Sequence, residues 1–374
     1  MKFSTLAKAL FIILAVLFIL FCLLVLAENT DLAGFFAKIG DNFDKEISIE
    51  KQEQPAVEKD QNNFSSFEPS LLQWQLATDS AAWVKRDAHT ALVFGDKIWL
   101  FGGVGGTAPD YSKIKSDIWT TEDGVNWQLI TDKAPWGPRR AHNTLVFKDK
   151  IWLMGGVTKG EKYLNDIWVS ADGVNWEQAV KSAPWTPRKG LGTVVFDDKI
   201  WLMGGVDIYG PVNDIWYSSD GINWSLAAKK AAWSPRYDMA LEVFDNKMWL
   251  SGGVYPDKLG FKEMWGSSDG VNWEKIQDKI FWRGRHGHCL FTFKNYFWIA
   301  GGWSGLGKGF NDVWYSKDGH NWFKTLQDPD WKGREDLVCL IFQDKIWMFG
   351  GMMTSLKRTN DVWYSVESAE NNSL

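Results

Sequence analysis

Pairs of adjacent glycines recur in phase six times, at Gly102-Gly103, Gly155-Gly156, Gly204-Gly205, Gly252-Gly253, Gly301-Gly302 and Gly350-Gly351, at intervals of 48 to 53 residues. A fixed period of that length means one supersecondary unit copied in tandem, so the fold of one unit constrains the whole chain. Each copy reads as four strands. In the second copy an apolar run (Thr144 to Phe147) meets a turn at Asp149, and Ile151 to Met154 then ends in the glycine pair. A third strand follows at Asp166 to Val169, and the Asp172-Gly173 hairpin signal leads to a fourth at Asn175-Trp176. Asp or Asn occupies the first turn in all six copies, at Asp96, Asp149, Asp198, Asn246, Asn295 and Asp344, as a turn requiring positive φ demands.

The 25 tryptophans test this scheme. One opens each unit (Trp83, Trp136, Trp185, Trp233, Trp282, Trp331), one lies on each second strand (Trp99 to Trp347) and one on each third (Trp119 to Trp363). Fourth strands supply Trp127, Trp176, Trp224, Trp273 and Trp322, and the sixth unit stops at Ser365 without one. Trp74, in Gln73-Trp74-Gln75-Leu76, is the missing member, so the N-terminal strand is expected to complete the last unit and close a ring. Closure removes the exposed sheet edges that invite aggregation. Only Trp303 stands outside the pattern.

The paired glycines, the Arg-x-x-His starts at Arg86-His89, Arg139-His142 and Arg285-His288, and the paired aromatics resemble the kelch-repeat, galactose-oxidase-like six-bladed β-propellers of the bacterial cell envelope. The resemblance implies an all-β domain over 68–365, with four antiparallel strands per blade. The Ser-x-Asp-Gly-x-Asn-Trp turn (Ser170 to Trp176) is similar to the Asp-box of sialidases but one residue shorter. Such boxes are structural turns and bring no sialidase activity with them.

Outside the repeats, Lys2 and Lys8 precede an apolar run from Ala9 to Ala27. It reads either as a membrane anchor or as a signal peptide cleaved after Ala27, with everything downstream outside the cytoplasm. Residues 28–67 read as a polar tether and 366–374 as a tail. The expected location is the cell envelope, with membrane contact through the N-terminal segment alone. A net charge of −5 without a basic stripe argues against nucleic acid as a partner. Three cysteines exclude a disulfide framework. Cys289 and Cys339, one position out of phase in adjacent blades, point either at one another or directly apart.

Positions alike in every copy build the blade, and variable positions on a shared face are where specificity can reside. Every opening Trp is followed three residues later by Arg86, Arg139, Arg188, Arg236, Arg285 or Arg334, and every third strand carries an acid two residues before its Trp. Paired hydrogen bonds within each blade are expected, the alternative being a guanidinium ring that attracts anions. Immediately after each Arg come Asp87, Arg140, Lys189, Tyr237, His286 and Glu335, and the loops after the glycine pairs add Tyr111, Tyr163, Tyr209, Tyr255, Phe261, Trp303 and Phe310. These variable residues suit recognition of a carbohydrate or protein ligand.

Neither a metal site nor a cofactor site is expected. His286-x-His288 and Cys289 would face opposite sides of a strand, and the three Arg-x-x-His histidines are expected to hydrogen-bond within the blade. Gly302 to Gly309 lacks the Ser/Thr and the helix of a phosphate loop. A second function remains open, because exported six-bladed propellers of this length resemble N-acetylneuraminate epimerase, a sugar mutarotase. Glu335, His286 and Asp238 are then the candidates for proton transfer.

Overall fold

In each repeat two tight turns and a glycine pair set the course of the chain. The computed structural model describes residues 67–367 except 109, 257–258, 277–279, 281 and 306. The anchor or signal segment at 1–27, the tether apart from residue 67, and the tail from 368 lie outside the described residues.

Six four-stranded antiparallel sheets form. In blade 2 the strands are Asn143–Phe147, Lys150–Met154, Ile167–Ser170 and Glu177–Val180. The fourth strand thus begins after Asn175-Trp176, the site read from sequence. The displacement has a local cause. Asp172 Oδ1 accepts the backbone N–H groups of Val174 and Asn175, and its Oδ2 accepts the Asn175 amide, so these residues stay in the turn. Gly173 in that turn has φ +77, and a β-carbon there would lie 2.6 Å from the Trp99 ring of the preceding blade. Glycine is therefore required for blade-to-blade docking as well as for the turn.

The sixth sheet contains Gln73–Thr78 beside Val362–Val366, with Trp74 opposite Ser365 and Leu76 opposite Trp363. The ring closes as the tryptophan pattern requires. Trp74 packs edge-on against Trp331 at 6.1 Å between centroids, the contact that Trp127 makes with Trp83 and Trp176 with Trp136. The inner strands neighbour one another around a closed circle, Val338–Phe342 lying against Thr90–Phe94.

The tryptophans are blade core. Second-strand Trp99, Trp152, Trp201, Trp249, Trp298 and Trp347 each donate the indole N–H to the carbonyl five residues earlier. Third-strand tryptophans donate to the acid two residues before them, as Trp119 does to Asp117 at 2.8 Å.

Antiparallel pairing fixes two faces. Inner strands run from the Arg positions to the Asp/Asn turns, so loops before the first strand and after the second share one face. Both ends of the propeller leave from the other face. Gln73 pairs with Val366 there, and Phe67 packs on Phe293 and Tyr296 beside the Lys294-Asn295 turn. Cys289 and Cys339 point at one another and form a disulfide, with Cα atoms 5.8 Å apart, joining the inner strands of blades 5 and 6. Among the described residues no helix is long and apolar enough to cross a membrane.

Candidate functional site

The six repeated arginines are at most 1% exposed. Each binds the acid of its own blade: Arg86 to Asp117 at 2.7 Å, Arg139 to Asp166 at 2.9 Å, Arg188 to Asp214 at 2.5 Å, Arg236 to Glu263 at 3.1 Å, Arg285 to Asp312 at 2.7 Å and Arg334 to Asp361 at 2.6 Å. Each also donates to the carbonyl of the first glycine of its pair. Phe261 and Phe310 cover two of these guanidinium groups, on Arg236 at 4.0 Å and Arg285 at 4.5 Å. Buried and paired, these arginines brace the blades and form no anion-attracting ring.

Directly after each Arg the chain turns towards the axis. Asp87, Arg140, Lys189, Tyr237, His286 and Glu335 pair through their backbone with the residue following the glycine pair, Val104, Val157, Val206, Val254, Trp303 and Met352 respectively. The next residues, Ala88, Ala141, Gly190, Asp238, Gly287 and Asp336, all have φ between 49 and 59. They form the innermost ring, in which Ala141 donates to Ala88, Gly190 to Ala141, Asp238 to Gly190, Gly287 to Asp238 and Asp336 to Gly287, at 2.8–2.9 Å. This ring lines a cavity of about 200 Å³ on the axis.

One residue further, His89, His142, Leu191, Met239, His288 and Leu337 wedge against the glycine pair of the preceding blade. The expectation of hydrogen bonds within the blade is corrected here. His142 Nε2 meets Thr90 Oγ1 of blade 1 and His288 Nε2 meets Ser251 Oγ of blade 4, both at 3.1 Å across a blade boundary, while both ring nitrogens of His89 lack a partner. Burial is the main force holding all three below the usual histidine range, His89 at about 3. Leu and Met at the same position show that the wedge is steric. Gly287, with φ +56, also breaks the strand geometry expected around His286 and His288. His286 faces the mouth, His288 lies between blades, and Cys289 is in the disulfide. Among the described residues no three His, Cys, Asp or Glu side chains are grouped to hold a metal ion.

The sequence-derived ring residues therefore meet around one mouth. Four carboxyl groups converge there, and burial raises all of them. Asp238 reaches about 6, and Glu335 about 8 with help from the Asp238 and Asp87 charges. Asp336 stands well above the ordinary range, and Asp87 is raised despite Arg358. His286 Nδ1 lies 3.4 Å from Glu335 Oε2, outside hydrogen-bond geometry, and burial lowers the imidazole to about 4.

The cations are engaged elsewhere. Arg140 and Lys189 share Glu161, at 2.6 and 3.0 Å. Arg358 donates its Nε to Asp87 at 2.9 Å, and both arginines lie against Tyr111. Arg140 Nε and Arg358 Nη2 are buried donors without a partner. Sequence reasoning missed Arg358, Glu161 and Asp336. Asp336 had a signal, standing in phase with Asp238 where the other units carry Ala or Gly.

Of the loop aromatics, Tyr163 lies 5.6 Å from Lys189, and Tyr255 and Tyr111 are partly exposed on the rim. Trp303 is backbone-paired to His286. Tyr209 is 89% exposed, at the tip of a hairpin whose turn Asp207 secures by accepting the Tyr209 N–H.

The description KLHDC2/KLHL20/DRC7 Kelch-repeats domain matches residues 127–302, which contain the repeat pattern of blades 2 to 4. The solved structure of YjhT superposes with a TM-score of 0.65, over 79% of this chain and 98% of its own, at 16% identity. The fold is a six-bladed kelch propeller. The YjhT likeness carries the kelch propeller architecture and nothing of the site. The flagellar outer-arm dynein alpha chain of Chlamydomonas reinhardtii is 29% identical over 102 residues, 24% of this chain and 2% of that one. This kelch propeller therefore spans only a small part of that relative's length, and the rigid ring it forms is consistent with a binding scaffold.

Proposed function

We propose that the protein is an extracytoplasmic recognition module that binds a carbohydrate in the mouth of the propeller. One observation carries this reading: two buried guanidinium groups present unpartnered N–H donors, Arg140 Nε and Arg358 Nη2, in a mouth that also holds carboxyl groups partly or wholly protonated at neutral pH. Hydroxyl-rich ligands supply both the acceptors and the donors that such a mouth lacks, and the tyrosine rim offers faces for a sugar ring. The Cys289–Cys339 disulfide supports an oxidising compartment, in keeping with the export segment read at residues 1–27.

A sugar mutarotase of the N-acetylneuraminate epimerase kind is the second reading. It is favoured by Glu335 at about 8 and Asp238 at about 6, values that suit proton exchange at neutral pH. Ring opening then needs one carboxyl group to donate to the ring oxygen while a carboxylate takes the anomeric hydroxyl proton.

NMR of the purified protein with a panel of envelope sugars, sialic acids included, tests both readings. Broadened sugar lines without faster anomer exchange support binding. Accelerated exchange abolished by Glu335→Gln supports the mutarotase. Silence across the panel sinks the carbohydrate reading and leaves a protein ligand.

A further inference from the structure

Charge in the mouth is unevenly committed. Arg140, Lys189 and Arg358 are paired with Glu161 and Asp87, and Arg358 also donates to the carbonyls of Gly105 and Asp110. Among the described residues, no Lys or Arg forms an ion pair with Asp238, Glu335 or Asp336. Five carboxyl groups thus share three cations, and the surplus lies at the axis. Asp238 and Asp336 are fixed there by backbone, both at φ 52 on the innermost ring, with His286 and Tyr237 beside them.

An anionic ligand brought to this place finds the charges of Arg140, Lys189 and Arg358 already shared with Glu161 and Asp87, and adds to the repulsion among the axial carboxyl groups. A cationic ligand group supplies the missing partner. The unpartnered N–H groups of Arg140 and Arg358, both residues more than nine-tenths buried, add a separate requirement for neutral oxygen acceptors.

We propose that the mouth selects a ligand carrying a basic amine together with hydroxyl groups, an amino sugar in the first instance, and discriminates against carboxylated sugars. This rests on the carbohydrate reading above and narrows it. The ammonium group donates to Asp238, Glu335 and Asp336, while ring or hydroxyl oxygens accept from Arg140 and Arg358. Binding ionises the axial carboxyl groups, so protons are released.

Titration calorimetry of the intact protein near pH 7, in buffers of different ionisation enthalpy, tests this with five probes: D-glucosamine, D-glucose, N-acetylglucosamine, D-glucuronate and the ring-free amino alcohol 2-amino-1,3-propanediol. Glucosamine is expected to bind at least about ten-fold more tightly than glucose, with glucuronate weakest and with measurable proton release. In Asp336→Asn, and separately in Glu335→Gln, the ratio of glucosamine to glucose affinity falls towards one, with thermal unfolding showing that each variant is folded. Glucuronate binding as tightly as glucosamine, or a preference that survives both variants, overturns the proposal. Binding of the amino alcohol while every sugar is silent upholds the amine site and sinks the carbohydrate reading. Silence from all five sinks both.

Discussion

The carboxyl group of Asp336 lies directly over the α-carbon of Gly287, its Oδ1 2.7 Å from the place a β-carbon on that glycine would occupy. Asp238 Oδ1 stands in the same relation to Gly190, at 2.4 Å. Each axial acid therefore depends on a glycine in the preceding blade, and the two dyads place acid on the axis in blades 4 and 6.

Gly287→Ala should cost about 1–2 kcal/mol of stability, from the φ of +56 and the crowding, and should displace Asp336 and abolish ligand binding. Gly137→Ala is the matched control, with φ +72 and no heavy atom within 4 Å of the added carbon. Denaturant melts and a binding titration on both variants check this. Equal affinity in the two would show that the carboxyl position is irrelevant to the ligand.

Arg236→Ala removes one partner of a buried ion pair, leaves Glu263 to Trp265 and Lys275 alone, and strands the Gly252 carbonyl. A loss of roughly 3–5 kcal/mol is expected, read as a large fall in melting temperature. An unchanged melting point with lost ligand would return the repeated arginines to the site.

Acid should destabilise the propeller through His89, His142 and His288. Their folded-state values lie below the unfolded value near 6.5, so the unfolded chain takes up protons that the folded chain refuses, and stability falls as pH drops below about 6.5. Glu335 has the opposite sign. Its folded value of about 8 lies above the unfolded one, so its contribution is lost as pH rises from the ordinary carboxylate range through 8. Unfolding free energies across pH 4 to 9 in the His89→Leu/His142→Leu/His288→Leu and Glu335→Gln proteins should show shallower lower and upper slopes respectively, His286 maintaining part of the first and Asp238, Asp336 and Glu242 part of the second. At neutral pH His89→Leu alone should raise stability by about 1 kcal/mol, because both buried ring nitrogens lack partners.

Deleting residues 68–80 leaves Val362–Val366 as an open edge and uncovers Trp331. The melting temperature of the whole domain should fall and light scattering should rise on heating. A melt identical to that of the intact chain would mean that the closing strand carries no stability.

Most of the fold was legible because each of its structural tasks leaves a residue type at a fixed spacing: an indole for each strand, a glycine pair where the chain passes between blades, an Arg and an acid for each brace. The rim positions were legible by the complementary test, since Asp87, Arg140, Lys189, Tyr237, His286 and Glu335 occupy one phase and share no chemistry. Arg358 was not, because it reaches from the last blade to Asp87 in the first, and no local spacing records a contact made by ring closure. Asp336 was overlooked because it stands one residue past the variable position, where a left-handed backbone favours glycine and tolerates aspartate. Whether His142 and His288 bond within or between blades depended on where Gly102 and Gly252 bring the neighbouring chain, which periodicity does not specify.

Phe67 and Val366 leave the propeller together, on the side away from the axial acids. A linkage made at Phe67 or Val366 is therefore attached on the face opposite the axial acids. An immobilised propeller tethered through either point should capture its ligand as well as the free one does.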